Sequence, residues 1–181
     1  MARDTDVKAQ RVFFALWPDA GARARLAELA REVGSESGGR PTAANLLHLT
    51  LAFLGDQPDG AVVALRGLAG AIVARRFVLA LDAVGAFRHA GIVWLGATAP
   101  PPALAALHDA LAAALRGQGF PVDERPYAPH LTLARRSRIA IDRRLPQPIC
   151  WRADAFALVV SERGRDGPAY RTLAEWPLAD P

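Results

Sequence analysis

Apolar residues along this chain follow two periods that alternate. The short runs "VFFALW" and "GIVWLGA" read as strands, because they are brief, aromatic or β-branched, and bounded by turn residues. Each is followed by a stretch in which leucines recur every three or four residues, the spacing of one helix face. In "PDAGARARLAELAREVG" this face carries Leu26, Leu29 and Val33, with Asp19 placed to cap the helix and Gly34 to end it. In "PPPALAALHDALAAALRGQGF" it carries Leu104, Leu107, Leu111 and Leu115, closed by Gly117 or Gly119. After each helix comes a polar loop, and after each loop the five letters HLTLA.

A further pair of alternating segments, "RFVLALDAVGAF" and "ADAFALVVSERG", continues the correspondence, and the spacings His48 to His130 and Phe77 to Phe156 agree to within a few residues. The chain is therefore an internal repeat, covering roughly 11–88 and 91–173. The halves diverge after the HLTLA strands: "DGAVVALRGLAGAIVARR" predicts a helix, whereas "SRIAIDRRLPQP" predicts a basic loop or short strand. Strand, helix, strand and strand in each half specify an α+β fold. The expected architecture is one bilobal duplicated domain spanning 1–181, with two antiparallel sheets facing a central cleft and helices packed outside. Ligands bind in such clefts.

Composition narrows the class. The 181 residues are 51% hydrophobic and 22% charged, enough for a substantial core. "MARDTDVKAQ" is polar and the apolar run after it stops at Pro18, too short for a signal peptide or a membrane span, so a soluble cytoplasmic protein is expected. The lone cysteine, Cys150, excludes an internal disulfide and a cysteine-based zinc site, and is expected to be a small buried side chain. A net charge of +4 suits an anionic partner, although 21 of the 22 basic residues are arginine, Lys8 being the exception, as genome base bias also produces. With no GxxxxGK[ST], nucleotide-driven chemistry is not expected.

The repeated letters carry the chemistry. On a strand alternate residues share a face, so His48 and Thr50 point one way and Leu49 and Leu51 the other, and likewise His130 and Thr132 against Leu131 and Leu133. A single such strand is ordinarily a half-buried strand with a polar outer face; its repetition in register points to a shared site. Two imidazoles with an ordinary pKa of about 6.5 can act as acid and base together near neutral pH. A threonine hydroxyl about 6–7 Å along the strand can donate to an anionic oxygen held between them. That set suits in-line displacement at a phosphodiester. Two histidines cannot close a zinc site, and Ser35, Ser37, Ser137 and Ser161 lie in no nucleophile motif. His89 and His108 read as surface residues.

"RVFFALWPD", "NLLHLTLAFLG" and "ERPYAPHLTLARR" together resemble the two-histidine phosphoesterase superfamily, specifically its RNA 2′,3′-cyclic phosphodiesterases, historically called 2′-5′ RNA ligases. The resemblance extends from Arg11 to about Leu173 and includes "GAF", "VWLG" and the closing "VSERGRDGPAYRTL". It implies hydrolysis of a terminal 2′,3′-cyclic phosphate on RNA, tRNA fragments among the substrates, to a 2′-phosphate. It implies no metal and no cofactor; nothing in the sequence indicates a protein partner or a membrane, and a monomer is expected. His48 would protonate the departing 3′ oxygen, His130 would activate water, and Thr50 and Thr132 would bind phosphate oxygens, the two histidine roles being interchangeable by pseudo-symmetry. Arg135 is the implied substrate-binding arginine, although strict alternation puts Arg136 on the face of His130. Tyr127 would stack on a terminal base or pack beside Pro126 and Pro129. The chain departs from the family pattern at Asn45 and at His89-Ala90-Gly91, where basic residues are often found.

The same chemistry allows other substrates: small cyclic nucleotides, 2′-5′ oligonucleotides, or reversal to 2′-5′ ligation. Specificity among them would lie in the loops "GSESGGRPTAA" and "RRSRIAIDRRLPQP". A non-catalytic RNA-binding module is the reading from another class, distinguished by salt-sensitive binding without processing of RNA ends.

Overall fold

The structure is a computed structural model that describes residues 9–164 and 167–180; the first part of the polar N-terminal segment, and Arg165 and Asp166 of the closing segment, lie outside the described residues. Strand β1 (Ala9–Leu16) contains the run VFFAL, buried on both faces. Helix α1 (Ala20–Ser37) begins where Asp19 accepts a hydrogen bond from the amide of Ala22 at 2.8 Å. It ends one turn beyond Gly34, at Gly38, whose left-handed φ of 63° closes the helix. Gly34 lies within the helix, where Pro41 packs closer to it than a β-carbon would ordinarily allow.

The order continues with β2 (Arg40–Pro41), β3 (Leu49–Pro58), α2 (Asp59–Gly70), β4 (Phe77–Phe87), β5 (Ile92–Gly96), α3 (Pro102–Gly117), β6 (His130–Arg135), β7 (Arg143–Ala153), β8 (Ala155–Gly164) and β9 (Gly167–Pro177). The basic segment after the second HLTLA is thus a loop that runs into strand β7. Cys150 lies on β7 but is exposed, which corrects the expectation of burial: its neighbours Ile149 and Trp151 take the core face, and parity sends Cys150 outward opposite Ala80.

The strands run in the order β7-β4-β5-β6-β3-β1-β8-β9, with β2 paired to β6. All these pairings are antiparallel. The α+β class with antiparallel strands and outer helices is as the periodicity specified. The two expected sheets, however, are hydrogen-bonded into one through a single pair, Leu49 opposite Leu131. Corresponding segments occupy mirror positions about that seam: β3 with β6, β1 with β5, and β8 with β4. Neither half of the sheet coincides with one half of the sequence, because β4 joins β5 and β8 joins β1.

All three helices cover one face. Leu26 and Val33 of α1, Leu65 of α2, and Leu107 and Leu111 of α3 join Leu49, Leu51, Leu95, Leu131 and Leu133 of the sheet in one buried cluster. Helix α1 packs across β6 and β7, while α2 and α3 pack on β3, so each repeat's helix supports the other repeat's HLTLA strand. The opposite face has a small buried apolar group, Phe13, Ala15, Ala157 and Val159, with Trp17 and Tyr170 packed against it, and it carries the polar residues of both HLTLA strands.

Leu131 is fully buried at the seam and lies under both halves of the sheet. Its truncation in Leu131→Ala should cost about 2–5 kcal/mol in chemical denaturation, as for other large-to-small changes in a packed core. An exposed leucine would give a change within about 0.5 kcal/mol.

Candidate active site

The seam determines what meets at the site. Because Leu49 pairs with Leu131 in antiparallel register, the same register sets His48 across from Thr132 and Thr50 across from His130. The two leucines point into the core and the four polar residues to the open face. The histidines lie close enough for His130 to disfavour a charge on His48.

Both imidazoles are held in the same way. His48 Nδ1 lies 2.7 Å from the carbonyl oxygen of Leu46, and His130 Nδ1 lies 2.8 Å from that of Ala128. A carbonyl only accepts, so each Nδ1 carries the proton and donates it, leaving each Nε2 as the reactive atom. The segments ahead of the strands create these anchors. A 3-10 turn over Ala44–Leu46 presents the Leu46 carbonyl, and Pro129 restricts Ala128 to an extended conformation. His48 Nε2 accepts from the Thr50 hydroxyl at 3.1 Å.

Their surroundings differ. His48 is packed among Phe13, Trp17 and Tyr170, with ring centroids 4.9, 5.6 and 5.3 Å away. Burial pushes its pKa below the ordinary 6.5, the Leu46 carbonyl partly opposes this, and the charges of Arg135 and His130 lower it further. His130 meets the edges of Phe87 at 5.0 Å and Trp94 at 6.4 Å. The Trp94 indole lies flat because Gly85, its partner on β4, has no side chain; a β-carbon there would fall inside the ring. These aromatic neighbours lie in segments that carry the family resemblance, but nothing local in the sequence assigns them to the site. The signal that could find them is parity: Phe13 and Trp94 face the HxT residues only once the β1–β3 and β5–β6 registers are known.

Arg135 sits on the histidine face, and the reason is a β-bulge. Opposite β5, Val93 pairs with Ala134 but Trp94 pairs with Thr132, so Leu133 is an extra residue that flips the parity beyond it. Leu133 and Ala134 are consecutive and both fully buried, and Arg135 emerges on the face of Thr132. Arg136, which strict alternation favoured, instead takes a left-handed φ of 57° as the strand ends. Strand β3 bulges at the matching place, Leu51, which sets Phe53 at the position equivalent to Arg135. Phe53 is 52% exposed, with the Arg11 guanidinium 5.1 Å from its ring centre.

Tyr127 has an occupation other than base stacking. Its hydroxyl donates to the Thr50 carbonyl at 3.0 Å, and its ring stacks on His108 of α3 at 3.8 Å. Burial raises its pKa well above the usual phenol range. It ties the segment leading into His130 to the strand that carries Thr50, and it draws His108, expected at the surface, into a half-buried stack. His89 is exposed, as expected. Among the described residues no group of acidic, histidine and cysteine side chains could hold a metal ion, and no helix is long and apolar enough to cross a membrane.

This environment predicts that the His48 ring titrates below 6.5 by NMR and that Arg135→Gln moves the midpoint upward. The folded state then takes up a proton at His48 less readily than the unfolded chain. Its contribution to stability is complete above 6.5 and is lost as pH falls through that value toward the folded pKa. Gly85→Ala should displace Trp94, seen as a shift in tryptophan emission, and destabilise the protein by about 1–3 kcal/mol; unchanged emission would mean that the indole does not rest on Gly85.

Comparison with known proteins places the chain in a family. Residues 17–165 match the family model described as the 2′-5′ RNA ligase superfamily. The chain is 35% identical over 172 residues to the RNA 2′,3′-cyclic phosphodiesterase of Escherichia coli K12, covering 93% of this chain and 97% of that one. It is 34% identical to the Thermus thermophilus protein of the same name, covering 93% and 90%. The crystal structure of E. coli LigT with 3′-AMP superposes with a TM-score of 0.87 at 34% identity, covering 96% of this chain and all of the other. By the match to its model, by these relatives and by its fold, the chain belongs to the 2′-5′ RNA ligase superfamily.

Proposed function

We propose that this protein hydrolyses the terminal 2′,3′-cyclic phosphate of RNA to a 2′-phosphate, with residues 11–88 and 91–173 as the duplicated halves of one two-lobed domain. The observation that carries the reading is the pair of Nδ1-anchored imidazoles on one face of the seam, with Arg135 beside them. The name borne by the E. coli and Thermus relatives supports the substrate.

In this reading the cyclic phosphate binds between the histidines, its non-bridging oxygens facing Thr50, Thr132 and Arg135. Water attacks phosphorus in line with the P–O3′ bond. His130 Nε2 takes the proton of the attacking water as the P–O bond forms, and His48 Nε2 gives its proton to O3′ as the P–O3′ bond breaks. His48 is poorly suited to carry charge in the free protein, because it is buried beside Arg135. The substrate's negative charge supplies the missing counter-charge, so the acid becomes loaded as the phosphate docks. Neither imidazole needs a metal to perform these transfers.

A short RNA ending in a 2′,3′-cyclic phosphate, incubated with the protein and chelator, should yield a 2′-phosphate terminus identified by mass spectrometry and phosphatase sensitivity. His48→Ala and His130→Ala should each lower kcat about 10²–10⁴-fold, the usual contribution of a positioned acid or base. Full turnover in both variants would remove the histidines from the chemistry, and a 3′-phosphate product would reverse the leaving group.

A further inference from the structure

Some arginines of this protein are held in ion pairs and others are not. Arg76, Arg125, Arg143, Arg144, Arg152 and Arg171 pair with carboxylates. Among those without an ion pair in the described residues, Arg40, Arg88, Arg135, Arg136 and Arg138 are gathered by the topology around the C-terminal end of β6, while others, such as Arg75 and Arg116, lie elsewhere. Arg40 and Ile92 flank Arg135 on neighbouring strands. The Ser137 amide donates to the Gly91 carbonyl at 2.9 Å, bringing the loop after β6 against the β4–β5 turn that carries Arg88. Like charges this close repel one another unless an anion lies between them.

The same place holds an open depression of about 250 Å³, lined among others by Phe87, Arg88, Ile92, Ser137, Arg138 and Ile139. Phe87 and Ile139 are 40% and 59% exposed, so the depression offers apolar surface beside cationic groups. It adjoins the catalytic face, since the Phe87 ring also touches the edge of His130. Its wall is built before any ligand arrives. The Ser37 carbonyl accepts from the amides of Arg138 and Ile139 at 2.8 and 3.1 Å, and its hydroxyl lies 3.0 Å from that of Ser137. Ser37 is fully buried, and a β-carbon at Gly39 would strike Ser137, so this loop has little room to shift.

We propose that this depression is a subsite for the single-stranded RNA immediately preceding the cyclic end. A base rests on Phe87 and Ile139, and the adjoining backbone phosphate lies on Arg88, Arg136 and Arg138. Apolar stacking surface beside unpaired guanidinium groups is the combination that single-stranded nucleic acid uses, independently of base identity. The proposal rests on the phosphodiesterase reading and adds to it that the enzyme favours oligonucleotides over mononucleotides. The loop after the second HLTLA strand thereby acquires a role in specificity.

The test compares a five-nucleotide RNA ending in a 2′,3′-cyclic phosphate with a mononucleoside 2′,3′-cyclic phosphate, in the wild type and in Arg88→Ala/Arg138→Ala. The wild type should favour the oligonucleotide in kcat/KM at least about tenfold. The double variant should lose that preference while its turnover of the mononucleotide, which also reports correct folding, stays the same. The dependence of log(kcat/KM) on log[salt] for the oligonucleotide should flatten by about 0.7 for each phosphate that the variant no longer neutralises. Arg75→Ala/Arg116→Ala, removing equal charge elsewhere, should change neither substrate. Fluorescence anisotropy with the 2′-phosphorylated pentanucleotide reads the subsite without turnover and should show binding about tenfold weaker in the first variant only. An oligonucleotide preference retained by Arg88→Ala/Arg138→Ala, an equal loss on both substrates, or equal weakening by the two double variants would overturn the subsite. A wild type that hydrolyses neither substrate would sink the phosphodiesterase reading, and anisotropy would still decide the subsite.

Discussion

The single hydrogen-bonded pair between Leu49 and Leu131 is the constraint on which the site depends. It fixes two strands in one register, and in that register each histidine faces the other strand's threonine. Because side chains alternate along a strand, the pair that buries two leucines also turns four polar residues to the opposite face. A slip of one residue would bury the histidines and expose the leucines, so the core's preference for leucine enforces the geometry of the site. The crossing of the helices, with α1 beneath β6 and α3 beneath β3, holds both strands from below with elements of the other repeat.

Symmetry brings the two HxT pairs together, and departures from symmetry distinguish them. Both HLTLA strands bulge one residue after threonine, and both bulges bring the third residue after threonine onto the site face. On one strand that residue is Phe53, with Arg11 against its ring; on the other it is Arg135. His48 is enclosed by three aromatic rings, whereas His130 borders the open depression next to Phe87. One imidazole is therefore governed by burial, and the other lies beside open solvent. Pairs of titratable groups set in unlike environments are how one site separates an acid from a base.

Much of this is legible in the residues alone. Leucine spacing locates all three helices, alternation locates the principal strands, and the doubled HLTLA marks His48, Thr50, His130 and Thr132 without any structure. These features are local, and local periodicity reports which face of an element is apolar. The surroundings of Tyr127, His108 and Cys150 escape such a reading because they come from segments far away in sequence: Tyr127 meets Thr50, and Cys150 faces outward because Ile149 and Trp151 on either side of it take the core face where β7 pairs with β4.

Arg135 marks the boundary between the two kinds of information. The sequence by itself determined that two like strands would each present a histidine and a threonine, because period-two alternation leaves no other arrangement once the leucines are buried. Only the tertiary structure decided which arginine lies beside them, how β4 and β8 exchange between the halves, and which arginines gather at the end of β6. A bulge, a strand exchange and a charge cluster are each set by pairing with distant segments, and no window along the chain contains both partners.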